Sequence, residues 1–356
     1  MKKMICLVLS IGLLLGLAGC GRGGNSGETV TLNVFNWGEY MDNEYFLVNK
    51  KFTEETGIKI NYQTYETNEA MYGKLSAGGA DYDVVFPSDY MVGKMISEGM
   101  LAKLDFSNIP NYALIDDLYK NLDYDPQNEY SVPYTWGTVG IFYNTKFVDE
   151  EDLELGWDLL WAEQYKQKIA MFNNQRDAFS VALLKLGKSL NTTVESDWQA
   201  AFEALREQKP LVYAYYNDQV YEALINENIW IAPYYSGDIL IICDEDEGNP
   251  DIEFFAPESG TSMFVDAVCV MENSKHKKEA EMYIDFLCRT DVAKANAEYL
   301  GYSTPQKEAR EQLGPEIGQN PNFYPPKEFL EKTEPMLTLP AAINELMDSL
   351  WIELKK

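Results

Sequence analysis

Strand-like and helix-like segments alternate along most of this chain, and this alternation constrains its fold more than any other feature. Residues 30–36 alternate apolar and polar side chains as a half-buried strand does, and residues 41–56 then place apolar side chains near helical spacing. Similar pairs recur, among them a strand at 82–87 before a helix and a strand at 263–271 before two helices. The repeated order predicts an α/β fold with mainly parallel sheets.

The net charge and the histidine content argue against several classes of function. The chain has 356 residues, enough for two domains of ~150 residues each. Its 57 acidic residues outnumber 29 lysines and arginines, for a net charge of −28. This charge argues against a nucleic-acid partner and favours a cationic one. The single histidine, His276, lies in a charged segment, so histidine-dependent hydrolysis and zinc sites with several imidazoles are not expected.

The N-terminus has the pattern of a processing signal. Lys2 and Lys3 precede an apolar run at 4–17, which is shorter than the ~20 residues of a membrane span. The run ends in Leu-Ala-Gly before Cys20, as in bacterial lipoprotein signals, whose cysteine is acylated and becomes the first mature residue. An ordinary secretory signal with a chance cysteine is the alternative. We therefore predict a signal at 1–20, lipidation of Cys20 and a flexible Gly/Ser-rich tether at 21–27.

The remaining cysteines do not predict a metal or redox site. Cys243, Cys269 and Cys288 include no Cys-x-x-Cys spacing. One disulfide is compatible with an exported protein, and the sequence does not select the pair. No metal and no cofactor are predicted.

Loops that follow the predicted strands contain aromatic and acidic residues. In open α/β sheets ligands bind at the carboxyl ends of the strands. Here those ends are residues 36–40, 87–90, 173–177, 234–238 and 264–266, and Arg176 is the one cation among them. Carboxylates bind an organic ammonium by charge-assisted hydrogen bonds, and aromatic faces add ~0.5–2 kcal/mol each. A linear polyamine needs both, because methylenes separate its ammonium groups. The loops together predict a site for such a cation.

Several motifs resemble the spermidine/putrescine-binding proteins of polyamine ABC importers. The matching stretches cover nearly the whole mature chain and lie at residues 34–40, 64–72, 85–88, 131–137, 289–293 and 301–305. The resemblance implies a periplasmic-binding-protein-like fold, in which two α/β lobes close by a hinge on the ligand between them. We expect one lobe at 28–137 plus 264–311 and the other at 138–263 plus 312–356.

The same resemblance implies the binding residues. They fall on Trp37, Tyr40, Ser88, Tyr90, Asn174, Asp177, Tyr235, Phe264, Asp266 and Tyr302. Asp177 and Asp266 match the family's ammonium-binding carboxylates.

Several positions depart from the family pattern. Asn174 replaces a usual aspartate, Gly38 replaces a hydroxyl residue, and a C-terminal glutamine has no clear match near Met336. Tyr235 and Phe264 stand where tryptophans are common. A triamine would need a third carboxylate, which we expect from either Glu39 or Asp238.

The sequence therefore predicts a lipid-anchored, monomeric, non-catalytic receptor on the outer face of the cell membrane. It would deliver spermidine or putrescine to the membrane permease of an ABC importer. Two alternatives stay open: a receptor for another small solute, such as a sugar or a metal complex, and a lipid-anchored glycoside hydrolase that uses paired carboxylates.

Overall fold

The computed structural model describes residues 29–38, 40–78, 81–244 and 246–356. The predicted signal, Cys20 and the tether lie outside these residues, and so does Glu39. Within the described residues, no helix has both the length and the apolarity that crossing a membrane requires.

The strands of the described chain form one curled sheet, in the order β2-β1-β3-β9-β4-β7-β5-β6, with β10 beside β9 and β8 beside β4. The strands are β1 Thr31–Trp37, β2 Lys59–Tyr65, β3 Val84–Val85, β4 Ser131–Asn144, β5 Ile169–Phe172, β6 Val212–Tyr216, β7 Ile231–Tyr235, β8 Ile252–Phe255, β9 Ser262–Val270 and β10 Glu334–Pro335.

Helices cover this sheet. They are α1 Val48–Thr56, α2 Asn68–Ser76, α3 Asp89–Ser97, α4 Gln175–Lys185, α5 Glu195–Gln208, α6 Val220–Ile225, α7 Ile239–Ile242, α8 Lys277–Leu287, α9 Thr290–Leu300, α10 Lys307–Gln312, α11 Pro315–Gly318, α12 Lys327–Leu330 and α13 Ala341–Leu354.

The sheet is mixed, so the prediction of mainly parallel sheets is wrong for its centre. β2, β1 and β3 are parallel to one another, and so are β7, β5 and β6. Between these groups, β9 is antiparallel to β3 and β4, and β4 is antiparallel to β7. Strand β4 is buried along its whole length. Its pairing partners are distant in sequence, so local periodicity does not reveal its direction.

Two hydrophobic cores lie on this sheet and define two lobes. The first lobe packs around side chains such as Phe86, Trp136 and Tyr283, and the second around Phe179 and Trp198. Strand β4 joins them, because residues 131–138 pair with β9 and residues 139–144 pair with β7 and β8.

Residues 312–356 are divided between the two cores. Leu313 and Tyr324 pack in the first, whereas Ile343 and Leu350 of α13 pack in the second. The sequence-based boundary placed all of these residues in the second lobe. The prediction is therefore wrong for the segment that contains Leu313 and Tyr324, because its apolar side chains do not show which core they cover.

Helix α1 begins later than its apolar pattern predicted, at Val48 and not at residue 41. The Asp42 carboxylate accepts backbone N–H bonds from Glu44, Tyr45 and Phe46 at 2.8–3.2 Å. Such local side-chain bonds compete with helix formation. Gly57 ends the helix at φ 77°.

Candidate functional site

A cavity of about 390 Å³ lies between the two lobes, within the ~300–1,000 Å³ range of small-molecule sites. Its wall is formed by Trp37, Gly38, Tyr40, Tyr65, Glu66, Asn68, Ser88, Asp89, Tyr90, Asn174, Asp177, Asp218, Tyr221, Tyr235, Ser262, Phe264, Asp266 and Met336. Many of these residues stand at or just after the ends of β1, β2, β3, β5, β6 and β7, where parallel strands end.

Nine of the ten predicted site residues line this cavity. Tyr302 lies behind the wall, where its ring packs against Tyr40 and Phe264 with centroids 5.2 and 6.0 Å apart. His276 precedes α8 and is not among the described residues of the wall.

Aromatic rings form much of the wall and are fixed by hydrogen bonds. Trp37 packs on Tyr65 at 4.7 Å between centroids, and both donate to the Phe86 carbonyl, at 2.9 and 2.6 Å. Tyr235 meets Phe264 edge-on at 5.3 Å, so rings from the two lobes touch across the cavity. These contacts hold the rings in place before any ligand binds.

Asp266 is a buried carboxylate on β9, with 4% of its surface exposed. Its Oδ2 accepts a hydrogen bond from Tyr40, whose hydroxyl lies 2.7 Å from that of Thr135. Among the described residues, Oδ1 has no hydrogen-bond partner. Burial raises the pKa of Asp266 to about 6, and the nearby Ser88 and Tyr40 hydroxyls oppose this shift. The site therefore has an unsatisfied acceptor, which a cationic ligand would stabilise.

Asp177 and Asn174 enter the cavity from the start of α4. The Tyr235 hydroxyl donates to Asp177 Oδ2 at 2.8 Å. Burial raises the pKa of Asp177 to about 7, Glu69 and Asp266 add to the shift, and Arg176 opposes it. Asn174 caps the helix, because its Oδ1 accepts the Arg176 backbone N–H at 2.9 Å. This position therefore has a structural role whether or not it touches a ligand.

The cation of these loops does not enter the cavity wall. Arg176 is buried, and its Nη2 donates to Asn191 Oδ1 at 3.1 Å. Of the described residues that line the cavity, none is a lysine or an arginine. The wall thus offers acidic, aromatic and small polar groups to a ligand.

Asp238, one of the two residues expected to supply a third carboxylate, is not on the wall. Its two oxygens accept hydrogen bonds from Tyr221 at 2.8 Å and Tyr302 at 3.0 Å. Burial raises its pKa to about 7. Asp238 is therefore a buried connection between the lobes, since Tyr302 comes from the first and Tyr221 from the second. The other residue, Glu39, lies outside the described residues.

Ser88 stands at the N-cap position of α3. Its side chain makes no capping bond within the described chain. Asn68 Nδ2 instead donates to Ser88 Oγ at 3.0 Å, and the Ser88 backbone bridges to Asp266. The same asparagine donates to Tyr90 at 3.2 Å, so Asn68 positions two wall residues.

Sequence reasoning missed eight residues of the wall: Tyr65, Glu66, Asn68, Asp89, Asp218, Tyr221, Ser262 and Met336. The position of Asp218 after a strand could have identified it as a site residue. It follows β6 by two residues, and this strand was not recognised because its Val-Tyr-Ala-Tyr-Tyr sequence lies between two helices without alternation. Asp89 comes directly after a wall residue and is 1% exposed. Burial raises its pKa well above the usual aspartate value. Met336 places an apolar side chain where the family glutamine was sought.

The described chain does not contain a group of three or more histidine, cysteine or acidic residues arranged to hold a metal ion. Cys243, Cys269 and Cys288 are free in this structure, and the last two are buried.

A cavity between two α/β lobes that share continuous strands defines the class of solute-binding proteins that close on a small ligand. The chain belongs to the family of bacterial extracellular solute-binding proteins, which it matches over residues 48–325.

Comparison with individual proteins agrees with this assignment. The spermidine/putrescine-binding periplasmic protein of Salmonella typhimurium is 36% identical over 337 residues, 94% of this chain and 93% of that protein. Among solved structures, the spermidine/putrescine substrate-binding protein PotD of Streptococcus pneumoniae is 33% identical with a TM-score of 0.78, covering 92% of this chain and 99% of its own. The PotD lipoprotein of Treponema pallidum is 25% identical with a TM-score of 0.80, covering 91% and 99%. The resemblance predicted from the sequence and the predicted fold class are confirmed.

Proposed function

We propose that this chain is an extracellular receptor that binds spermidine or putrescine in the cavity between its lobes and delivers it to an ABC importer. The observation that carries the proposal is the cavity wall, where buried Asp177 and Asp266 face a space enclosed by aromatic rings. The names of the relatives, which bind spermidine and putrescine, support it.

The chemistry of the wall suits a linear polyamine. Its amines have pKa values of ~10.4, like that of lysine, so they are protonated at neutral pH. The carboxylates of Asp266 and Asp177, which both line the cavity, would accept charge-assisted hydrogen bonds from ammonium groups. The rings of Trp37, Tyr235 and Phe264 pack against methylenes and attract the adjacent charges.

The role is binding and delivery, without catalysis. Solute-binding proteins of this family are transport components, so a membrane permease is the partner we propose. Hinge closure would bring the lobes together and enclose the ammonium groups, which makes each ion pair stronger than in water.

Attachment to the outer face of the cell membrane is part of the proposal. Acylation of Cys20 would supply the anchor, and several acyl chains hold a protein more stably than one. The relative from Treponema pallidum is a lipoprotein, which supports this arrangement. We propose that the tethered receptor acts as a monomer, because one chain contains the whole cavity wall.

Isothermal titration calorimetry of the mature chain against spermidine, putrescine and a neutral sugar tests the proposal. We expect saturable binding of the polyamines, weak or undetectable binding of the sugar, and no hydrolysis of oligosaccharides over the same period. Tighter binding of the sugar, or steady release of reducing ends, would instead favour one of the alternative functions.

A further inference from the structure

We infer that Asp218 is the specificity-determining residue that allows the site to accept a triamine as well as a diamine. The inference rests on the proposed polyamine-binding function and concerns one end of the same cavity. No sequence motif pointed to this residue.

Asp218 lies where the second lobe faces the first. It follows β6 and lines the cavity together with Tyr221. Its Oδ1 accepts a hydrogen bond from the Tyr234 hydroxyl at 3.1 Å. Its Oδ2 lies 3.9 Å from the point that a Cβ on Gly38 would occupy. The carboxylate is thus held by one oxygen and directed across the cleft by the other.

The absence of a side chain at Gly38 leaves space in front of this carboxylate. Any larger residue there would place atoms close to Asp218 Oδ2. With glycine, an ammonium group can enter between the two lobes and contact the carboxylate directly. The departure of Gly38 from the family pattern therefore fits an acceptor supplied by the opposite lobe.

Asp218 differs in burial from Asp177 and Asp266, which are two of the four other acidic residues among the described residues of the wall. Asp177 and Asp266 are 7% and 4% exposed, whereas Asp218 is an exposed residue. The wall therefore has negative charge at a buried end, at Asp177 and Asp266, and at an exposed end, at Asp218. A diamine places its two ammonium groups at the buried end. A triamine reaches Asp218 with its third.

Asp238 is a poorer acceptor for that third ammonium group. Both of its oxygens are engaged by tyrosine hydroxyls, and it does not line the cavity. Asp218 keeps one oxygen on the cleft side, so no existing hydrogen bond has to break when an ammonium group binds.

The test is calorimetry on Asp218→Asn at about physiological salt, because screening there removes most of the long-range charge effect. Asparagine keeps an oxygen for the Tyr234 hydroxyl, so the loop should retain its structure. We expect spermidine affinity to fall about tenfold. This loss lies between those typical when one partner is removed from an exposed and from a buried charge pair. Putrescine affinity should change by less than about threefold, since both ammonium groups of a diamine are paired with Asp177 and Asp266.

Two further variants make the result specific. Asp123→Asn removes one charge from an exposed position outside the cavity and should change neither affinity. Gly38→Ala fills the space in front of Asp218 and should weaken spermidine more than putrescine. Equal losses for both ligands in Asp218→Asn, or no loss, would overturn the inference while leaving the polyamine function in place. A wild-type protein that binds neither polyamine would overturn both.

Discussion

At the residue scale, the binding chemistry depends on carboxylates that folding has removed from water. Asp266 and Asp177 are 4% and 7% exposed, and burial raises the pKa of each. In the free protein they are costly, because their charge is incompletely compensated. A polycation supplies the missing compensation, so groups that weaken the free fold strengthen the complex.

The variant Asp266→Asn separates these two effects. Loss of one partner from a buried charge pair typically costs ~2–5 kcal/mol, so affinity for both polyamines should fall at least about thirtyfold. The free variant should melt at the same temperature or higher, because a buried charge has been removed. Calorimetry and thermal unfolding measure the two quantities. Unchanged affinity in a folded variant would show that Asp266 does not bind the ligand.

The raised pKa values predict that binding depends on pH. Ammonium groups bind ionised carboxylates, and the pKa of Asp177 is about 7 and that of Asp266 about 6 in the free protein. Affinity should therefore rise at least about tenfold between about pH 5 and about pH 8. The stability of the ligand-free protein should change in the opposite direction and fall as the pH rises. A carboxylate whose folded pKa lies above its unfolded value binds protons more tightly when folded, so its contribution to stability falls as pH rises through that range.

Titrations at several pH values check both signs. Asp177→Asn removes the carboxylate with the higher pKa, so the dependence on pH should become shallower near neutrality. An affinity that does not change with pH in the wild type would mean that the ligand does not engage these groups.

Residue identities at the site could be predicted only in part from the sequence. Asp177 and Tyr235 stand at recognisable strand ends, and the structure places both on the cavity wall. Asp238 stands at a similar strand end, yet two tyrosine hydroxyls hold it behind the wall. The direction of a side chain depends on tertiary hydrogen bonds between distant residues. Strand-end position alone therefore did not predict that Asp238 would be turned away from the cavity.

At the element scale, the end of helix α9 makes a close contact between the lobes. Gly301 ends α9 with φ 74°, and its N–H donates to the Ala297 carbonyl at 3.0 Å. A Cβ on Gly301 would lie 2.3 Å from the carbonyl oxygen of Gly237 in the second lobe. The helix end is therefore both a local cap and a close contact across the lobes.

Alanine substitutions at two glycines distinguish these roles. Gly57 ends α1 with φ 77°, and in the described structure a Cβ there meets no atom within 4 Å. Gly57→Ala should lower the free energy of unfolding by ~1–2 kcal/mol, the cost of the left-handed conformation. Gly301→Ala should lower the free energy of unfolding by a further ~1–3 kcal/mol, because the added carbon overlaps a backbone atom. Urea unfolding measures both, and equal losses would show that the lobes separate at this point without cost.

Secondary structure followed from the sequence wherever periodicity was strong. Strand β1 lies within one residue of the segment that its alternating pattern predicted. The pattern predicted only residues 138–144 of β4, which is buried throughout, and it was wrong for the start of α1, where Asp42 binds the backbone. In both places long-range burial or a local side-chain bond outweighed the pattern.

At the scale of the whole molecule, two hydrophobic cores share continuous strands and enclose one cavity. Residues of β4 pair with β9 on one side and with β7 on the other, so the lobes are joined through the sheet itself. Contacts across the cleft include those of Tyr302 with Asp238 and of Tyr235 with Phe264. Such an arrangement permits rotation of one lobe against the other about the shared strands.

Closure on the ligand predicts two changes that can be measured together. A ligand that binds only the native state raises the free energy of unfolding by about 2.7 kcal/mol at one hundred times its dissociation constant. If that state is the closed one, small-angle scattering should also show a smaller radius of gyration with spermidine than without it. The matched control is Asp266→Asn at the same spermidine concentration. Because its site is mostly empty, its stability should rise less and its radius of gyration should shrink less than those of the wild type. Thermal stabilisation without contraction would mean that the polyamine binds a cavity already closed in the free protein, and the hinge would then have no part in recognition.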